Sequence, residues 1–81
     1  MVKVLFFASL RDKAGCNELT LEIDNDISVD SLINQMVVAN ANLNDVFSGT
    51  FLTAVNQETV ELEHLVKPGD EIAFFPPVTG G

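Results

Sequence analysis

The chain has 81 residues, with twelve Asp and Glu against four Lys and Arg, for a net charge of −8. A domain of this length buries only ~60–65% of the surface that its unfolded chain exposes, so function is expected on the surface or at a terminus, not in a deep enclosed cleft. The acidic balance has the wrong sign for phosphate backbones and anionic lipid, which are held by basic groups. The single cysteine excludes an internal disulfide and a cysteine-held metal or iron–sulfur cluster.

A hydrophobic fraction of 47% supports a packed core and argues against disorder. Met1-Val2-Lys3 runs straight into an apolar segment, without the basic start, long apolar stretch and small-residue cleavage site of a signal peptide. No apolar run approaches membrane-spanning length. The cytoplasm is the expected compartment, and neither a membrane nor a nucleic acid is an expected partner. Such a charge suits a protein that stays monomeric until it meets a basic surface.

The first strand is predicted over Val2 to Ala8, with Val2, Val4, Phe6 and Ala8 on one face and Lys3, Leu5 and Phe7 on the other. Lysine is almost never fully buried, so the Lys3 face should meet solvent, yet it carries Leu5 and Phe7. Ser9 to Ala14 reads as a short connector with one helical turn, ended by Gly15 in the left-handed region. Glu18 to Ile23 alternates cleanly and predicts a half-buried strand antiparallel to the first. Asp24-Asn25-Asp26 makes a turn, and Ser28 is a good N-cap. Val29, Leu32, Ile33, Met36 and Val37 recur at helical spacing, which predicts the only long helix from about Val29 to Asn40. Ala41 to Gly49 reads as an irregular connection tacked to the core by Leu43, Val46 and Phe47.

Phe51 to Asn56 is a third strand, Gln57-Glu58 a tight turn, and Thr59 to Glu61 a short strand. Lys67-Pro68-Gly69-Asp70 places proline and glycine where a type II turn wants them. Glu71 to Phe75 is the last strand, with Ile72 and Phe74 alternating against Glu71, Ala73 and Phe75. One helix and about five strands favour an α+β fold in which a mixed sheet carries the helix on one face. The two most apolar strands, first and last, belong in its middle. That arrangement is the β-grasp, the architecture of ubiquitin. Leu5, Phe7, Ala73 and Phe75 then form an exposed apolar docking patch.

Pro76 and Pro77 stop the last strand, because proline has no N–H for a ladder. Residues 1–75 are expected to form the domain and 76–81 an extended tail, Pro76-Pro77-Val78-Thr79-Gly80-Gly81. Two terminal glycines arise by chance in roughly 0.5% of chains, so the pair gains its weight from the Pro-Pro stop and the strand order. What projects is a thin backbone ending in a free α-carboxylate, and Gly81 is read as the working group.

Lys3-Val4-Leu5-Phe6-Phe7-Ala8 with Arg11, then Ala54-Val55-Asn56-Gln57, then Gly69-Asp70-Glu71-Ile72-Ala73-Phe74-Phe75-Pro76-Pro77-Val78-Thr79-Gly80-Gly81 resemble the small, sulfur-carrier subunits of molybdopterin synthase. The resemblance covers the whole chain, and its ending is the specific part. It implies that an adenylating enzyme uses ATP to turn the Gly81 carboxylate into a glycyl adenylate. A persulfide from a cysteine desulfurase system then gives a C-terminal thiocarboxylate, 1-thioglycine at Gly81. The tail enters the large subunit of the synthase and donates sulfur to cyclic pyranopterin monophosphate, which builds the molybdopterin dithiolene. Two copies of each subunit normally assemble.

The chain would thus be a non-catalytic sulfur donor with no bound cofactor or metal, and the catalytic residues would lie on the large subunit. The resemblance places Gly81, with Gly80, at the reacting end. It gives Leu5, Phe7, Arg11, Phe75, Pro76, Pro77, Val78 and Thr79 to partner binding. Lys13, beside Arg11, reads as part of a solvated connector, Cys16 as a bystander thiol, and His64 as a solvated turn residue. Two other readings share the diglycine end: a sulfur carrier of thiamine-thiazole synthesis, and a ubiquitin-like modifier joined to lysines.

Overall fold

The last strand of the chain is the central one of its sheet. The computed structural model describes residues 1–77. Its strands are β1 (Val2–Phe6), β2 (Glu18–Leu21), β3 (Ile27–Ser28), β4 (Leu52–Val55), β5 (Glu58–Val60), β6 (Leu65–Val66) and β7 (Glu71–Phe75). Five of them form one sheet in the order β2-β1-β7-β4-β5. β1 and β7 pair in parallel with Lys3 opposite Glu71 and Phe6 opposite Phe74. β1 is antiparallel to β2, and β4 is antiparallel to both β7 and β5. This is the expected mixed sheet with its most apolar strands at the centre. A six-residue helix, α1 (Ser9–Ala14), follows β1, and α2 (Val29–Ala39) is the long helix.

The pleat decides what is buried. Val2, Val4, Phe6, Ile72 and Phe74 face α2 and are almost fully enclosed with Val29, Leu32 and Met36. Four aromatic rings lock one end of this core. Phe74 has ring centroids 4.9 Å from Phe47, 5.9 Å from Phe51 and 6.0 Å from Phe6, all in the range where aromatic pairs attract.

Helix α2 starts where Ser28 Oγ accepts the Ser31 N–H at 3.1 Å, the N-cap that the sequence predicts. Two further N–H groups of its first turn would be orphaned. Val29 N donates to His64 O and Asp30 N to Leu62 O, each at 3.0 Å. Those carbonyls sit in the approach to β6, which pairs with β3 as a separate two-stranded sheet. The sequence does not disclose this small sheet, because two-residue strands are too short to show a period.

Several boundaries differ from the sequence reading. β1 ends at Phe6, and Ala8 is exposed and off the core face. Ala8 takes φ 53° and ψ −129°, the first central position of a type II′ turn closed by Leu10 N to Phe7 O at 3.1 Å. Gly15 at φ 77° ends α1 as expected. β2 stops at Leu21, two residues short of Ile23.

The segment read as irregular is instead a 3-10 turn over Ala41–Leu43 and a short helix, α3 (Asn44–Phe47). Leu43 and Val46 are buried there, as expected. The hairpin after β4 turns on Asn56 and Gln57, with φ 50° and 73°, not on Gln57 and Glu58. Positive φ at both central residues is the type I′ turn of two-residue hairpins. β5 accordingly starts one residue early, at Glu58. The Lys67–Asp70 turn is as predicted: Gly69 has φ 96°, and Asp70 N donates to Lys67 O at 3.0 Å. A Cβ on Gly69 would meet nothing within 4 Å, so torsion, not crowding, calls for glycine.

Candidate functional site: the tail root and the open face of the sheet

Parallel pairing of β1 and β7 sends both strands out at the same end of the sheet. Phe7, the start of α1 and the root of the tail therefore share one rim. Phe7 N still donates to Phe74 O at 3.1 Å, so pairing reaches one residue past β1. Phe75, Pro76 and Pro77 are half-buried. Arg11 and Lys13 are exposed on α1 at this rim and supply two of the four basic groups in an acidic chain. Val78, Thr79, Gly80 and Gly81, the remaining sequence-predicted site residues, lie outside the described residues.

The face of the sheet away from α2 carries the expected patch, enlarged. Leu5 stands opposite Ala73, and Ala73 opposite Ala54, so a band of apolar side chains crosses three strands. Leu52 stands opposite Phe75 and extends the band toward the tail root. Phe7 is 47% exposed and Leu52 36%. Glu18, Thr20, Thr59, Lys3 and Glu71 continue the same face through the register and give it a polar rim. An apolar centre with a polar rim is the anatomy of a protein interface.

Sequence reasoning missed Leu52 and Ala54 because β4 shows no clean alternation. Thr53, Ala54 and Val55 are all buried, with polar Thr53 on the core side opposite Phe74. The signal that finds them is the register to Phe75 and Ala73.

The two other segments that carry the resemblance meet at the far end of β7, away from the tail. Asn56 Nδ2 donates to Asp70 Oδ1 at 3.1 Å, Glu71 N donates to Asn56 Oδ1 at 3.1 Å, and Lys67 N donates to Asp70 Oδ2 at 2.9 Å. Asn56 N donates to Glu71 O at 2.8 Å, and Gly69 N to Met1 O at 2.8 Å. This clamp joins two turns and the N-terminus, and it fixes the register of β4 on β7. Asparagine tolerates positive φ, which suits it to this place in the turn.

The Lys67 N–H holds the Asp70 carboxyl below its ordinary value near 3.8; partial burial opposes the shift, and the Asn56 amide and the charges of Lys67 and His64 add to it. A depressed folded-state pKa stabilises the fold above the unfolded value and loses that contribution as pH falls through the folded one. Asp70→Asn should therefore lower stability by about 1 kcal/mol at pH 7. The difference from wild type should shrink below pH ~3.8, as read by urea unfolding across pH. An unchanged difference at low pH would mean that the carboxylate charge plays no part.

Cys16 is half-buried and packs against the core. His64 is exposed between β5 and β6. Among the described residues, no helix is long and apolar enough to cross a membrane.

A model of the ThiS family matches residues 4–81. The molybdopterin synthase sulfur carrier subunit of Escherichia coli (strain K12) is 41% identical over 100% of both chains. Its counterpart from Chlamydomonas reinhardtii is 39% identical over 99% of this chain and 98% of its own. Among solved structures, SAMP1 of Haloferax volcanii superposes with a TM-score of 0.80 at 29% identity, covering 99% of this chain and 98% of its own.

Proposed function

Because the chain belongs to the ThiS family, with molybdopterin synthase sulfur carrier subunits among its full-length relatives, we propose that it is the sulfur-carrier small subunit of a molybdopterin synthase. The observation that carries this reading is a match to such a subunit that runs from end to end and includes Gly80-Gly81. In this reading residues 1–75 are the handle and residues 76–81 the tail.

A carboxylate resists nucleophiles because it is already negative and oxide is a poor leaving group. ATP held by an adenylating partner solves both problems. A Gly81 oxygen attacks the α-phosphorus, pyrophosphate leaves, and the acyl carbon gains a good leaving group. The terminal sulfur of a persulfide, supplied by a cysteine desulfurase system, attacks that carbon and AMP departs. A thiol then cleaves the sulfur–sulfur bond and leaves 1-thioglycine at Gly81. In the large subunit the thiocarboxylate sulfur attacks a carbon of cyclic pyranopterin monophosphate, and hydrolysis returns the carboxylate. The partners supply the acids, bases and oxyanion donors, and this chain supplies the travelling group. The reaction belongs to the cytoplasm, in an assembly of two small and two large subunits.

The open face is the docking surface, with the tail reaching on into the partner. Phe7→Ala should weaken binding to the large subunit about tenfold to thirtyfold. The ring is nearly half exposed, so folding stability should change by less than about 1 kcal/mol. Calorimetric titration with parallel urea unfolding reads both numbers. Unchanged affinity would remove Phe7 from the interface.

Reconstitution tests the pathway. Sulfur loaded on this chain should be lost to cyclic pyranopterin monophosphate when the large subunit is added. Sulfur consumed instead by thiazole synthesis would move the chain to the thiamine branch. The similarity to small archaeal modifier protein 1 of Haloferax volcanii, 33% identical over 93% of this chain, supports a second reading as a lysine modifier, in which the adenylate ends as an amide on another protein. Conjugates on blots in place of stored sulfur would favour it.

A further inference from the structure

We propose that Pro76 and Pro77 are two separate positioning residues, one for each neighbour of β7, and that both are needed because the tail leaves from the middle of the sheet. The proposal rests on the reading of the tail as the presented group, but its geometry comes from the ladder alone.

Successive peptide units in a strand point to opposite sides within the sheet plane. In β7 the hydrogen bonds settle which residues face which side. Phe74 O accepts from Phe7 N, and Asp70 O accepts from Lys3 N, so even-numbered residues face β1. Glu71 bonds Asn56 through both its N–H and its C=O, so odd-numbered residues face β4. In the parallel ladder the next donor toward β1 would be the N–H of residue 76, and its acceptor would be Phe7 O. Residue 76 is proline and has no N–H. Phe7 O instead takes the Leu10 N–H in the turn that starts α1. Toward β4 the next donor would be residue 77. The register, continued two residues from Leu52 opposite Phe75, sets Thr50 as its partner. Residue 77 is also proline.

An edge strand could be released by one proline. A central strand with a single proline could still add a bond on its other flank, to Phe7 O on one side or to Thr50 on the other. The dipeptide closes both routes at consecutive positions, so the tail root parts from both neighbours within two residues. Its task is to keep the tail from being stored as extra sheet, where it would have to be peeled off before any partner could thread it.

Pro76→Ala and Pro77→Ala test the two flanks separately. Amide exchange by NMR should show the restored N–H at position 76 slowed about fivefold relative to an unstructured peptide, and likewise the N–H at position 77 in the other variant. A tail that is stored part of the time lowers the competent fraction. KM for conversion by the adenylating enzyme should therefore rise about fivefold in each variant. In the double variant KM should rise further than in either single variant, and effects at neighbouring positions do not simply multiply. N-methylalanine at position 76, installed by ligation of synthetic segments, lacks the N–H and should restore wild-type KM.

Free exchange of both restored amides would overturn the proposal. So would a KM rise that N-methylalanine fails to correct, since that would assign the effect to ring rigidity. If the wild-type chain accepts no sulfur at all, the functional reading fails, and the exchange data still decide the role of the prolines.

Discussion

Removal of Gly81 alone should reduce thiocarboxylate formation by at least about 100-fold and leave the fold unchanged. The shortened chain still ends in a carboxylate, on Gly80. That carboxylate stops one residue short, ~3.3–3.6 Å along an extended chain. Displacement of a reacting group by as little as ~1 Å can cost about 100-fold, so a full residue should stop productive attack on ATP. Stability should stay within about 0.5 kcal/mol, because the core closes at Phe74 and the clamp sits at the opposite end of β7. Intact-mass kinetics with a urea melt give both values. Loss of folding in this variant would contradict the separation of handle and tail.

Phe74→Ala should have the largest effect on stability, a loss of about 3–5 kcal/mol. Phe74 has no solvent exposure, lies on the central strand, and has Phe6, Phe47 and Phe51 around its ring. Deleting the ring leaves a cavity bordered by three other aromatic groups that cannot all collapse into it. A chain of this length has a total stability of about 4–12 kcal/mol, so the variant gives up between a quarter and all of it. The neighbouring Phe75 points the other way, onto the open face with Leu52. Two adjacent phenylalanines thus divide the labour. One holds the sheet together, and the other lies on the face proposed for docking. A loss below about 1 kcal/mol for Phe74→Ala in urea unfolding would mean that the aromatic cluster is not the centre of the core.

The elements whose side chains repeat are those the sequence discloses. Val2, Val4 and Phe6 against Lys3 and Leu5 mark β1, Ile72 and Phe74 mark β7, and the Ser28 cap with its apolar spacing marks α2. The open patch is legible for the same reason, since Lys3 and Glu71 label its side and stand opposite one another in the sheet. What stays hidden depends on distant partners. Asn56 and Gln57 take positive φ, and the turn is tied down by Asp70 and Glu71, which bond the Asn56 side chain from fourteen and fifteen residues away. Ala8 takes a conformation that usually falls to glycine, and nothing in its own identity announces it. β3 and β6 carry only two residues each. Leu52 and Ala54 join the site only through their register with β7.

Storage of sulfur on the chain's own C-terminal carboxylate is tested most directly by intact mass. The protein is weighed after incubation with an adenylating enzyme of the molybdopterin pathway, ATP and a persulfide donor. The expected result is a gain equal to sulfur replacing one oxygen, confined to the C-terminal peptide and absent when ATP is withheld. A mass that stays unchanged under those conditions, while a known sulfur carrier in the same mixture is converted, would contradict it.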